Sequence, residues 1–328
     1  MPENTNPVAL ISRQVADVLN GVGGIYAVIL LGSCSRGEES YFIAEDGECQ
    51  LLSDYELLVV TERNAIPRQA EAGLRELRAD LRSRLKSPFF DLEWNYYGKH
   101  KLPFMDKRFI HFEMKTAGKL ICGNPRVFDL MPKITVKNLN FAELDSIVNH
   151  RLYHVLKSFG GIEEHQKKYL IARNTLDVTS VVLPFEGKLI CSYEKRIAAF
   201  PESLCKGVFG DNIKERLNDY LEMKKDYLSA AYEKYGAAEM LEVFLRNMSA
   251  LYEYQKSKQM GKAFRLNRRA RLKGVLSLNR KRVLEANRRP DAEDALFHEM
   301  YALIRNKDFS RNKIDAVSEK VFSLYHYR

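Results

Sequence analysis

Two carboxylates separated by one residue, Asp54 and Glu56, stand at the head of the apolar run that ends at Val60. In an extended strand successive side chains take opposite faces, so Asp54 and Glu56 share one face while Tyr55 and Leu57 take the other. Two like charges on one face repel, and a cluster of hard oxygen ligands selects Mg²⁺ or Mn²⁺. Further on, Phe90, Leu92, Trp94 and Tyr96 alternate with Asp91, Glu93, Asn95 and Tyr97, the pattern of a two-faced strand. Paired beside the first acidic strand, it would bring Asp91 or Glu93 to the same face as a third carboxylate and a second metal position. Upstream, the apolar run Ile25 to Leu31 enters Gly32-Ser33, where a glycine lets backbone N–H groups and the Ser33 hydroxyl approach a phosphate. Ser35 and Arg36 follow as further candidate nucleotide contacts, the guanidinium adding positive charge for a triphosphate. Phosphate donors beside metal ligands describe phosphoryl transfer.

The elements that must position these groups are legible in outline. Asn6 and Pro7 open a helix with Val8, Ile11, Val15, Val18 and Leu19 at helical spacing, closed by Gly21, Gly23 and Gly24. Ile25 to Leu31 reads as a buried strand. Tyr41-Phe42-Ile43 and Gln50-Leu51-Leu52 flank Asp46-Gly47 and predict a hairpin inserted between the glycine turn and the acidic strand. Ala70, Leu74, Leu77, Leu81 and Leu85 mark a helix over 68–86, stopped by Ser87-Pro88. A fourth strand is expected at Phe109 to Met114. From about 138 onward strand signals thin out, and Leu144, Val148, Leu152, Val155 and Leu156 repeat with helical period; Tyr169, Leu170, Tyr227 and Leu228 read as core. The expected organisation is an α+β domain over 1–135, a small mixed sheet with flanking helices, followed by an all-helical domain over 136–328.

Taken together, these residues resemble the signature of the DNA polymerase beta-like nucleotidyltransferase superfamily: a Gly-Ser turn, an acid-apolar-acid strand and a later third acid. The resemblance covers roughly 25–95. Arg36-Gly37-Glu38 and Asp54-Tyr55-Glu56 are similar to the corresponding stretches of bacterial nucleotidyltransferase-domain proteins of unassigned substrate. Phe112-Glu113-Met114 through Gly118 to Pro125 resembles the end of their catalytic domain. The resemblance implies that Asp54 and Glu56 hold two Mg²⁺ ions, with Asp91 completing the second site, and that Ser33 and Arg36 hold the departing phosphates. An acceptor hydroxyl would then take a nucleoside monophosphate from a nucleoside triphosphate. Two departures are visible: Glu56 stands where Asp is commoner, and Ser33 lies 21 positions before Asp54, a length the hairpin absorbs. A small hydroxylated acceptor is favoured. An RNA-tailing or nucleotide-cyclising enzyme is the enzymatic alternative, and a non-catalytic module that binds nucleotide or RNA is the alternative of another class.

Composition limits the remaining classes. With 328 residues, 45% hydrophobic and 29% charged, the chain is neither disordered nor low-complexity and can bury a substantial core. Five cysteines, Cys34, Cys49, Cys122, Cys191 and Cys205, have no CxxC spacing and predict reduced thiols rather than a zinc ribbon or disulfide framework. The first residues carry no signal-like apolar core, and no apolar run approaches the length of a membrane span, so a cytoplasmic protein without a membrane partner is expected. The net charge of +9 is concentrated: Lys256 to Arg289 holds thirteen basic residues against the single acid Glu285, which leaves the rest of the chain at −3. Nucleic acid is a candidate partner of 256–289 but is not favoured, because Phe264 alone supplies a stacking ring there.

Overall fold

The computed structural model describes the backbone of residues 6–43, 49–85, 87, 89–210, 212–274 and 280–325. Within those, the side chains at 42–43, 49–50, 142–143, 145, 259–274, 280–291, 293 and 322–325 lie outside the description. The chain divides into two compact units. The first comprises Met1–Asn140 with two later segments, Leu189–Lys195 and Glu222–Ser229, and the second comprises Phe141–Lys188, Arg196–Leu221 and Ala230–Arg328. No shift in composition marks the two later segments that belong to the first unit.

The first unit opens with α1 (Pro7–Leu19), where Asn6 Oδ1 accepts from the Val8 and Ala9 amides at 2.9 and 3.2 Å. That cap satisfies two of the N–H groups a helix start leaves without partners. β1 (Ile25–Leu30) runs into the five-residue helix α2 (Gly32–Arg36). β2 (Tyr41–Ile43) and β3 (Cys49–Leu51) pair antiparallel, Tyr41 opposite Leu51, as the hairpin pattern predicts; its Asp46-Gly47 turn lies outside the described residues. Then follow β4 (Tyr55–Thr61), α3 (Arg68–Leu85), β5 (Leu92–Gly98), α4 (Phe109–Ala117), β6 (Lys119–Gly123) and α5 (Val127–Leu130).

Four strands form a mixed sheet in the order β5-β4-β1-β6; β1 is antiparallel to both its neighbours, while β4 and β5 are parallel and joined through α3. One face, with Val28, Leu30, Tyr55, Leu57, Val59 and Leu92, packs on Ile11, Val15 and Leu19 of α1 and on Leu74 and Leu81 of α3. The other, with Ala27, Ile29, Leu31, Leu58 and Val60, is covered by Leu102, Met105, Met114, Val127 and Met131. Because β1 and β4 are buried on both faces, their sequences are continuous apolar runs; each such aliphatic side chain stabilises by about 1.5–3 kcal/mol. β5 lies at the edge and keeps an alternating pattern.

The strand expected at Phe109 to Met114 is the helix α4, and the fourth strand is β6, five residues later. A short aromatic run fits either structure by composition. Packing decides it: Phe109 and Met114 are buried, whereas Ile110 between them is 44% exposed.

The second unit contains only helices among its described residues: α6 (Ala142–Phe159), α7 (Glu164–Thr175), α8 (Asp177–Phe185), α9 (Tyr193–Ala198, whose first turn belongs to the first unit), α10 (Glu202–Leu204), α11 (Ile213–Lys225, through Leu221), α12 (Ala237–Gly274), α13 (Arg280–Arg305) and α14 (Arg311–Tyr325). The stripe Leu144, Val148, Leu152, Val155 and Leu156 is buried as its period predicts, and so are Tyr169 and Leu170. Leu228, read from sequence as core, is instead 67% exposed. The basic segment 256–289 spans the end of α12 and the start of α13. Its first members are paired, Lys256 with Asp294 at 2.7 Å and Lys258 with Glu186 at 2.8 Å; the side chains from 259 to 289 lie outside the described residues. No described helix is long and apolar enough to cross a membrane.

Candidate active site

β4 is buried at every position but one. Tyr55, Leu57, Leu58, Val59, Val60 and Thr61 are enclosed, and Glu56 alone is partly open. Alternation along the strand puts Glu56 on the face of Leu58 and Val60, beneath α4, away from α1 and α3. The end of β1 is tied to this point, since the Leu31 amide donates to the Glu56 carbonyl at 2.8 Å. The next residue, Gly32, sits directly against the carboxylate: a Cβ built there would lie 2.8 Å from Glu56 Oε1 and 3.0 Å from Cδ. Gly32 also has φ +66°, a left-handed conformation that glycine adopts at little cost.

The parallel register of β4 and β5 places Glu93 directly opposite Glu56, so these two carboxylates share a face on neighbouring strands. Asp54 immediately precedes β4, and its carbonyl accepts from Cys34 Sγ at 3.5 Å. Burial pushes the Cys34 thiol up to about 12, and the charges of Glu39, Glu56 and Asp54 push the same way against Lys224. Cys34 is therefore a neutral thiol rather than a nucleophile. Glu39 carries a buried Oε2 without a hydrogen-bond partner among the described residues. Cys34, Cys122, Cys191 and Cys205 are all free thiols.

Asp91, expected to join Asp54 and Glu56, is held elsewhere. Its Oδ1 accepts from Arg78 Nε at 2.6 Å, and its Oδ2 is shared by Arg78 Nη2 and by Arg82 Nη2, the latter at 2.9 Å. Arg78 and Arg82 lie one turn apart on α3, and the Arg78 guanidinium sits over Trp94 at 5.9 Å, on the sheet face opposite Glu56. Burial of the Asp91 carboxyl opposes its ionisation, yet the hydrogen bond and charge of Arg78, with the charge of Arg82, outweigh that and hold it below the ordinary carboxylate range. The i, i+4 arginine pair was present in the sequence as a signal. Among the described residues no three or more His, Cys, Asp or Glu side chains are grouped to hold a metal ion.

The residues after the glycine turn separate in the same way. Gly32 and Ser33 remain partly open beside Glu56. Ser35 is buried and its hydroxyl donates to the Gly32 carbonyl at 2.9 Å. Arg36, expected to contact phosphate, is an internal ion pair: Nε donates to Glu38 Oε2 at 2.8 Å and Nη1 to Glu113 Oε1 at 3.2 Å, with the Tyr193 ring 5.4 Å beneath. Burial works against the charged guanidinium, but Glu113, Tyr193 and Glu38 more than offset it and raise its pKa further. Glu38 in turn accepts from the Tyr193 amide at 2.6 Å through Oε1, and its carbonyl accepts from the buried Lys224. Arg36-Gly37-Glu38 thus fastens the two later segments to the first unit. Tyr193 and Lys224 lie more than 150 residues away in sequence, where no local pattern could announce them. Among known proteins, no family model matches the chain and no curated sequence matches it significantly.

Proposed function

We propose that the first unit transfers a nucleoside monophosphate from a nucleoside triphosphate to a hydroxyl group of a small acceptor, with Mg²⁺ or Mn²⁺ as cofactor. Glu56 carries this reading: one carboxylate set into an otherwise buried central strand, pressed against a glycine, with Glu93 in register across from it. The donor chemistry suits a hard divalent ion, which takes one or two protein carboxylates plus substrate phosphates rather than a complete protein cage. Asp54 and Glu56 would hold it, with Glu93 in register opposite Glu56 on the neighbouring strand. Asp91 is left out, since its charge is already matched by two arginines.

When bound, the divalent ion would neutralise the triphosphate and lower the pKa of the acceptor hydroxyl. The chain's own part is placement. Gly32 and Ser33, beside Glu56, offer the open backbone and hydroxyl that would orient the triphosphate. The acceptor oxygen forms a bond to the α-phosphorus as the bond to the β-phosphate oxygen breaks; pyrophosphate departs and the acceptor proton passes to solvent.

Calorimetric titration of the full chain with each of the four nucleoside triphosphates tests this, with Mg²⁺ or Mn²⁺ and with neither. Metal-dependent binding of at least one triphosphate, lost in Glu56→Gln, is expected. Binding that ignores the metal, or that survives the substitution unchanged, contradicts the proposal.

A further inference from the structure

β6 ends the sheet on the side away from β5, and among the described residues no strand pairs with its outer edge. An edge strand leaves a row of backbone N–H and C=O groups open to another chain. Beside this edge, between α1 and β6, lies a cavity of about 420 Å³ with apolar lining from Val8, Ala9, Leu120 and Ile121. Cys122 is opposite Val28 and Leu120 is opposite Ile29, so Ile121 is an extra residue, a bulge that turns the strand. Ile121 and Cys122 accordingly both pack on the α1 side of the sheet, and Leu120 packs on the other. The charged lining residues are Arg13 and Lys119; both are exposed, and neither forms an ion pair among the described residues. No carboxylate lines the cavity among the described residues.

We propose that the outer edge of β6 receives an extended, acidic and aliphatic peptide segment of a partner protein as a fifth strand of the sheet. Main-chain hydrogen bonds along β6 supply affinity in strand addition, and pockets for alternate side chains supply selectivity. Every other residue of the added strand faces the cavity, where an aliphatic side chain meets Val8, Ala9 and Ile121 and a carboxylate meets Arg13 and Lys119. Charge decides between occupants. Pairing of β6 with the same strand of a second copy would double the uncompensated positive charge at this edge, whereas a strand carrying carboxylates neutralises it. None of these residues belongs to the Glu56 site, so the inference stands apart from the reading of that site.

A pool of seven-residue peptides, with Val, Leu, Glu or Asp varied at alternate positions and Thr between them, provides the probe. Peptides retained by the full chain are identified by mass spectrometry and titrated by fluorescence anisotropy. Saturable binding of peptides that hold both an aliphatic and an acidic residue is expected, with slowed amide hydrogen exchange within 119–123. R13E and K119E alter exposed side chains, and each should weaken this binding by about tenfold or more, as juxtaposed like charges do. Successive N–H groups of a strand point to opposite edges. Of two forms of the peptide, N-methylated at odd or at even positions, one should therefore bind and the other fail. Retention of no peptide overturns the proposal. So does equal binding by the wild type and the R13E/K119E double variant, equal binding of the two N-methylated forms, or unchanged exchange within 119–123. A dimer of the full chain in place of peptide binding would assign the edge to a second copy and overturns it equally. Failure of triphosphate binding at Glu56 has no bearing on these outcomes.

Discussion

A methyl group added at Gly32 would stand 2.8 Å from Glu56 Oε1, inside any distance at which the two could coexist. Gly32→Ala therefore has two effects, backbone strain from φ +66° and displacement of the carboxylate. Stability should fall by about 1–2 kcal/mol in chemical denaturation, and triphosphate binding should be lost. Gly37 is the control, because it has φ +70° and nothing within 4 Å of an added Cβ. Gly37→Ala should show the strain and keep the binding. Equal binding by both variants would mean that the Glu56 position does not matter.

Asp91 and Glu93, two residues apart, are expected to fail differently. Asp91→Asn removes the charge clamped by Arg78 and Arg82 and should cost about 1 kcal/mol, the scale of a partly exposed pair, without changing turnover. Its contribution has a definite pH sign. A carboxyl whose folded pKa is depressed stabilises the fold above the unfolded value, near 3.8, and that contribution fades as pH falls through the folded value. The stability gap between wild type and Asp91→Asn should accordingly be full at pH 7 and close only in acid. Glu93→Gln should do the reverse, leaving stability within about 0.5 kcal/mol while lowering turnover.

Arg36 is expected to behave as a fastening rather than as a phosphate contact. Breaking a buried, hydrogen-bonded pair costs about 3 kcal/mol or more, so Arg36→Gln should lower the melting temperature markedly. Hydrogen exchange at the Tyr193 amide, which donates to Glu38, should quicken with it. Arg36→Lys should not restore protection, because a single ammonium cannot span Glu38 and Glu113 as the fork does. Unchanged stability with weakened triphosphate binding would return Arg36 to the phosphates.

Much of the first unit can be read from its sequence, and the reason is local. Asn6 caps α1 through its own side chain, and β1 and β4 are covered on both faces, so the cap residue and the unbroken apolar runs are visible without any partner. The acid pair is visible for the same reason, as an interruption of one such run. What sequence does not disclose is the outcome of competition between distant groups. Asp91 and Glu93 alternate identically along the chain, and only the packing of α3 beside β5 brings Arg78 and Arg82 onto the first and leaves the second opposite Glu56. Arg36 follows a glycine turn as a phosphate ligand would, yet its partners come from α4 and from a segment near Tyr193. The run Phe109 to Met114 reads as a strand by composition but is the helix α4, because burial of Phe109 and Met114 around an exposed Ile110 favours the helix.

Pyrophosphate release by the full chain, supplied with Mg²⁺, nucleoside triphosphate and a pool of hydroxylated small molecules, measures the proposed chemistry itself. Wild type should release pyrophosphate and yield an acceptor heavier by one nucleoside monophosphate, and Asp54→Ala, folded as judged by circular dichroism, should release none. Equal release by the two proteins, or none from wild type with any of the four triphosphates, would contradict a transferase centred on Asp54 and Glu56.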